Sequence, residues 1–190
     1  VLQASDGMDN DYFGISVAIH GDTAVVGAVG HQTSGLFSGA VYIFRLHYGV
    51  WTEEFKIIAN DPDMGDLFGV TVAIHGDVVL ISARADDEVD QNSGAAYIFR
   101  RDTNGPNPRW IQEAKFMPVS EDDARNHNFG NPIVLGEDVA FVASHDNSGI
   151  GYGYIYNYDG NNWTEGQRLV PFDGGRWTDG EGSSQPRASM

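Results

Sequence analysis

With 190 residues, 41% of them hydrophobic, the chain can pack a core as one ordinary domain or as a string of small units, which excludes a disordered polymer. Eleven Lys plus Arg against 27 Asp plus Glu leave a formal charge of −16, which repels phosphate backbones and anionic membrane surfaces and argues against a nucleic-acid partner. There is no cysteine, so disulfides, zinc thiolates and thiol nucleophiles are excluded, and no apolar run approaches the ~20 residues of a membrane span.

The chain opens on Val1 rather than Met, with no signal peptide, and reads as a processed product or a piece cut from a longer chain. Leu2 to Asp6 matches stretches that recur later, Phe55 to Asp61 and Ala114 to Ser120, so residues 2–6 are expected to be the last strand of a preceding unit. Phe13-Gly14 follows, then Ile15 to Ile19 and Thr23 to Ala28, two apolar runs joined by the polar turn His20-Gly21-Asp22, which predicts an antiparallel hairpin. After a variable loop, His31 to Phe37, the β-branched and aromatic run Ser38-Gly39-Ala40-Val41-Tyr42-Ile43-Phe44 predicts a third strand. Trp51 opens a fourth that ends near Ala59.

The unit is then written again. Phe68-Gly69 through His75-Gly76-Asp77 to Ala83 repeats the first hairpin 55 residues on, Ser93 to Phe99 repeats the third strand, and Trp110 to Val119 repeats the fourth. A weaker third copy begins at Phe129-Gly130 and runs through Leu135, Asp138, Ala140 and Val142, then Gly151 to Tyr156, then Trp163 to Val170. Repeat units are expected near 13–59, 68–119 and 129–172 within a repeat region 1–173, and residues 174–190, without period, form an extended tail.

A four-stranded antiparallel sheet that is apolar on both faces cannot stay soluble alone, and stacking such sheets radially gives a β-propeller. The expected fold is therefore all-β, with about three blades of four antiparallel strands. A β-sandwich or β-solenoid fits four strands per unit less well. Three blades are fewer than the ~4 to 8 of closed rings, so the chain is expected to be a partial propeller or to share a ring with other copies.

The cluster Asp66-Leu67-Phe68-Gly69, Val72-Ala73-Ile74 to Ser82-Ala83 and Ser93-Gly94-Ala95-Ala96-Tyr97-Ile98-Phe99 resembles the FG-GAP repeat of integrin α-type β-propellers. The resemblance covers about Leu2 to Asp173 and is weaker in the third unit. It implies an extracellular or cell-surface binding or adhesion platform that meets ligands on one rim. Integrin blades often carry a calcium loop between their first two strands. Here only His20-Gly21-Asp22 and His75-Gly76-Asp77 stand there, too short to wrap a cation, so that metal site does not carry over.

Acidic residues precede each Phe-Gly: Asp6, Asp9 and Asp11; Asp61, Asp63 and Asp66; Glu121, Asp122 and Asp123. Clustered carboxylates beside glycine have the oxygen chemistry that calcium takes, although the spacing matches no standard loop and solvated acidic connections are the default. No other cofactor is expected. Asp86, Asp87, Glu88 and Asp90, in the long loop of the second unit, and the loop aromatics Tyr48, Tyr158, Phe37 and Trp177 are candidates for a protein or glycan partner. Asn162-Trp163-Thr164 is a glycosylation sequon. No Gly-x-Ser-x-Gly or His-Glu-x-x-His occurs, and the glycines at 149–153 lead into a strand rather than a helix. The reading is a non-enzymatic binding, adhesion or scaffold module. The alternative is a structural subunit whose open blade faces dock other copies or another polypeptide.

Overall fold

The computed structural model describes residues 1–118, 128–145 and 151–170, and these fold as three four-stranded antiparallel sheets with no helix. Blade 1 is β1 (Val17–His20), β2 (Thr23–Ala28), β3 (Ala40–His47) and β4 (Val50–Ile57), paired in chain order. Blade 2 is β5 (Phe68–His75), β6 (Val78–Ala83), β7 (Ala95–Asp102) and β8 (Arg109–Phe116). Blade 3 is β9 (Ile133–Leu135), β10 (Val139–His145), β11 (Gly151–Tyr158) and β12 (Trp163–Leu169). The first strands β1, β5 and β9 lie closest together and the last strands β4 and β8 scarcely meet, as in blades fanned about an axis. The three do not close a ring.

Local chemistry accounts for the strand limits. Gly21 (φ 58°) and Gly76 (φ 57°) take the left-handed conformation that a tight hairpin turn demands, which brings His20 opposite Thr23 and His75 opposite Val78. β9 is short because Pro132, immediately before it, has no N–H to give to the ladder. A bulge interrupts the pairing of every last strand, at Ile43/Phe44, Ile98/Phe99 and Tyr154/Tyr156.

Leu2 to Asp6 form no strand. The matching stretch of blade 1, Ile57 to Asp61, shows why: β4 ends at Ile57, so the shared pattern marks the connection after a strand and not the strand itself. Leu2 and Ala4 nevertheless pack on Val26, Tyr42 and Phe44 of blade 1, as Ile57 and Ala59 pack against blade 2. The acidic triplet Glu121, Asp122 and Asp123, Val119, Trp177 and the tail 174–190 lie outside the described residues.

Apolar seams between blades hold the stack together. Between blades 1 and 2, Val25, Val41 and Ile43 meet Phe68, Val79, Ile81, Tyr97 and Phe99. Between blades 2 and 3, Leu80, Ala96 and Ile98 meet Phe129, Ala140, Val142, Tyr154 and Tyr156. Burying one large apolar side chain stabilises by about 1.5–3 kcal/mol, so these seams outweigh the few polar contacts beside them, which fix register. The Phe of each Phe-Gly stands edge-on against a tyrosine in its own blade's third strand: Phe13 on Tyr42 at 5.6 Å, Phe68 on Tyr97 at 5.4 Å, Phe129 on Tyr154 at 5.1 Å.

The polar contacts at the seams repeat. Phe68 N–H donates to Ser38 O (3.2 Å) and Phe129 N–H to Ser93 O (3.1 Å). Ser16 Oγ donates to Gly69 O (2.7 Å) and Thr71 Oγ1 to Gly130 O (2.9 Å). Gly39 (φ 87°) lies so close to the next blade that a Cβ on it would sit 2.1 Å from Phe68 O, which explains why Ser-Gly recurs at this point. Thr71→Val keeps the shape and deletes the hydroxyl, and should lower unfolding stability by about 1–2 kcal/mol in denaturant titration, leaving Gly130 O without its donor.

Candidate functional site at the loop end of the blades

Antiparallel pairing sends β2–β3 loops and the segments before each Phe-Gly to one end of the stack, and the short hairpin turns to the other. The described acidic candidates belong to the loop end. There several of them are drawn into two matching networks, one in blade 1 and one in blade 2.

In blade 1, Asp11 is buried, and its Oδ2 accepts from Met8 N–H (2.9 Å) and meets His31 Nδ1 at 2.9 Å. Lys56 Nζ lies 2.6 Å from His31 Nε2. An ammonium only donates, so Nε2 accepts and Nδ1 carries the hydrogen given to Asp11. Tyr42 donates its hydroxyl hydrogen to Asp6 (2.7 Å), and Lys56 pairs with the same carboxylate at 2.8 Å, which holds Asp6 below the usual carboxylate range.

Blade 2 repeats this with one exchange, Asp86 standing where His31 stands. Tyr97 donates to buried Asp86 at 2.7 Å, and Lys115 Nζ is surrounded by Asp61 (2.7 Å), Asp86 (3.0 Å) and Glu88. Burial pulls the Lys115 pKa down, but its bonds to Asp61, Glu88, Tyr97 and Asp86 outweigh that and hold it above the ordinary value. Asp66 is buried too, accepting from Asp63 N–H at 2.7 Å, and burial raises its pKa to about 6, with Asp86, Asp63 and Asp87 adding to the rise.

A raised carboxylate is a cost to the fold that grows as pH rises from the unfolded value near 3.8 and is complete above about 6. Asp66→Asn keeps an acceptor for Asp63 N–H and removes the charge. It should stabilise the protein by on the order of 1–2 kcal/mol at pH 7.5, a gain that vanishes by about pH 4 when both proteins are melted across that range.

Among the described residues no group of three or more carboxylates and imidazoles is arranged to hold a metal ion. Asp6 and Asp11, and Asp61 and Asp66, enter networks already supplied with a lysine, while Asp9 and Asp63 are exposed. Asp86, a partner candidate by its loop position, is buried, held inward by the Tyr97 hydroxyl and Lys115. Asp87 is exposed, and Asp90 caps its own turn by accepting from Gln91 N–H at 2.7 Å. Tyr48 is fully exposed but sits at the opposite end of the molecule, in the β3–β4 turn. Tyr158 is at that end too, partly covered by Trp163 at 5.2 Å and by the Arg100 guanidinium. Asn162 is exposed in the β11–β12 turn, its N–H donating to Asp159 Oδ1 at 2.7 Å.

Sequence reasoning missed His31, Tyr42, Lys56, Tyr97 and Lys115. The signal was present: aligning the copies sets Asp6 on Asp61, Tyr42 on Tyr97 and Lys56 on Lys115. It also missed His20, whose Nδ1 accepts Gly76 N–H at 2.6 Å across the first seam.

The loop end also carries apolar groups. Tyr12 stacks on Phe37 at 6.3 Å, both exposed, and exposed Leu36 and Met64 adjoin them where Gly65 N–H donates to Leu36 O. Tyr12 (φ 54°) and Phe37 (φ 60°) are bulky residues in left-handed backbone.

The FG-GAP repeat family profile matches residues 1–44 and 51–99, which are blade 1 with its entry segment and most of blade 2. The chain carries FG-GAP repeats. The Phe-Gly and Ser-Gly positions of these FG-GAP blades are the ones that make the seam between them. No curated protein matches the chain.

Proposed function

We propose that this FG-GAP chain is a non-enzymatic binding or adhesion module of a secreted or cell-surface protein, meeting a protein or glycan partner through the loop end of its blades. FG-GAP repeats are typical of β-propeller binding modules in extracellular proteins, which supports the class. One observation carries the choice of surface: Tyr12 and Phe37 stack on each other at 6.3 Å and remain exposed beside the exposed Leu36 and Met64. The left-handed backbone at these two positions recurs at Leu67 (φ 59°) and Asn92 (φ 52°) and belongs to the repeat, whereas a cluster of exposed apolar side chains is what a contact surface retains.

The test is a glycan array and an extracellular-protein array probed with the wild type and with Tyr12→Asn/Phe37→Asn. Asparagine tolerates the left-handed conformation, so the fold should be unaffected. The wild type is expected to bind a restricted set of spots and the variant to lose them at unchanged melting temperature. Identical profiles, or no wild-type binding, refute the assignment.

A second reading is a structural subunit whose open faces dock other polypeptides. It is favoured by Ile15, Val17 and Ile19, which are 51%, 69% and 66% exposed on blade 1, whereas their counterparts in blade 2 are partly buried against blade 1. Molar mass in solution across a concentration series tests it, association supporting it and a monomer throughout opposing it.

A further inference from the structure

The two outer faces of the stack differ in the chemistry that joins blades. Each internal seam is built from three parts: a hydroxyl (Ser16, Thr71) that donates to the next Phe-Gly carbonyl, a Ser-Gly whose serine carbonyl accepts the next Phe N–H, and a left-handed glycine (Gly39, Gly94) that lets the backbones approach. A fourth contact joins the outer strands: the bulged Glu54 takes Arg101 of the next blade in two bonds of 3.1 and 3.0 Å, and its counterpart Glu113 accepts from Trp163 Nε1 at 3.4 Å.

The outer face of blade 3 has lost three of these parts. Pro132 stands where Ser16 and Thr71 stand, Gly151 has no left-handed φ, and Gly166 replaces the bulged glutamate. What remains is an open hollow lined by Pro132, Phe141, Tyr152, Gly153 and Leu169.

The outer face of blade 1 keeps the backbone receiving parts, although Leu46 stands where Arg101 stands. Asn10 (φ 71°), Tyr12 (φ 54°) and Gly14 (φ 94°) repeat the backbone of Gly65 (φ 94°), Leu67 (φ 59°) and Gly69 (φ 91°). In blade 2 that backbone is consumed: Gly65, Leu67 and Phe68 donate to Leu36, Phe37 and Ser38, and Gly69 O accepts from Ser16. In blade 1, among the described residues, the N–H groups of Asn10, Tyr12 and Phe13 and the carbonyl of Gly14 have no partner, and Phe13 is only half-buried where Phe68 and Phe129 are fully buried. Three backbone donors, two of them on residues of left-handed φ, are thus held beside the exposed ladder Ile15, Val17 and Ile19.

We propose that the Asn10–Gly14 edge of blade 1 is a docking site for a polypeptide blade presenting a Ser-Gly loop, and that the chain's own third blade is not that partner. This rests on the second reading above and adds to it a direction and a recognition chemistry. The occupant supplies three successive carbonyls, a left-handed glycine and a hydroxyl for Gly14 O, the set that residues 36–39 and Ser16 supply to blade 2. Two copies joined head to tail through blade 3 would lack the hydroxyl for Gly14 O and the left-handed glycine.

The test measures amide hydrogen exchange at Asn10, Tyr12 and Phe13 in the full chain with either of two synthetic peptides at millimolar concentration. One has the sequence of residues 36–42, the other that of residues 148–154. The first should slow exchange at these amides by about threefold or more and the second should not. No slowing by the first, or equal slowing by both, overturns the proposal. So does protection without peptide that appears together with a doubled molar mass, although that result would leave the docking reading standing.

Discussion

Lys115→Met is expected to destabilise the protein by about 3–5 kcal/mol in denaturant unfolding at pH 7.5. The lysine is 13% exposed, and its ammonium is the only cation within bonding distance of the three carboxylates of Asp61, Asp86 and Glu88 among the described contacts. Removing it leaves the buried Asp86 carboxylate without its cation beside the Tyr97 hydroxyl and facing the half-exposed charges of Asp61 and Glu88, so Asp86 must be expelled to water or protonated. The deficit should therefore narrow as pH falls toward about 4, where the carboxylates take up protons. A loss below about 0.5 kcal/mol, typical of an exposed ion pair, would show that the network is only a surface feature.

Phe68→Ala should cost about 3–5 kcal/mol, whereas Phe13→Ala, the same residue of the preceding repeat, should cost roughly 1–2 kcal/mol. Both rings stand against a tyrosine and a phenylalanine of their own blade, Tyr97 and Phe99 for Phe68, Tyr42 and Phe44 for Phe13. Only Phe68 is also covered from the other side, by Val25 and Val41 of the blade before it, and is 1% exposed. The difference between the two variants reads out the seam itself. Equal costs in chemical denaturation would mean that the packing of the Phe inside its own blade, not blade-on-blade burial, is what the repeat conserves in this chain.

The fold was legible because strands announce themselves by local means. Gly21 and Gly76 mark hairpins, β-branched and aromatic runs mark the third strands, and a motif written twice at a spacing of 55 residues leaves little freedom in the architecture. Ends of elements were less legible. Leu2 to Asp6 match Ile57 to Asp61 in type at four of five positions, but β4 ends at Ile57, so the pattern belongs to the connection that follows a strand, and a strand's last residue is not written in the pattern.

The loop end was half legible. Carboxylates were visible as a class, but whether one faces water or is folded inward depends on partners far along the chain, Lys56 for Asp6 and Lys115 for Asp86. Asp86 and Asp87 are neighbours of one chemistry with opposite environments. Phe37 was a candidate by its loop position, and Tyr12 joined it only once their mutual stacking and exposure were seen.

The lysines of the two networks carry one more consequence. A positive charge tethered to a strand cannot be diluted, chelated or exchanged, so the rim of these two blades brings its own counter-ion. Its shape is expected to be indifferent to the mineral content of the surroundings, and melting curves with millimolar calcium and with a chelator should superimpose.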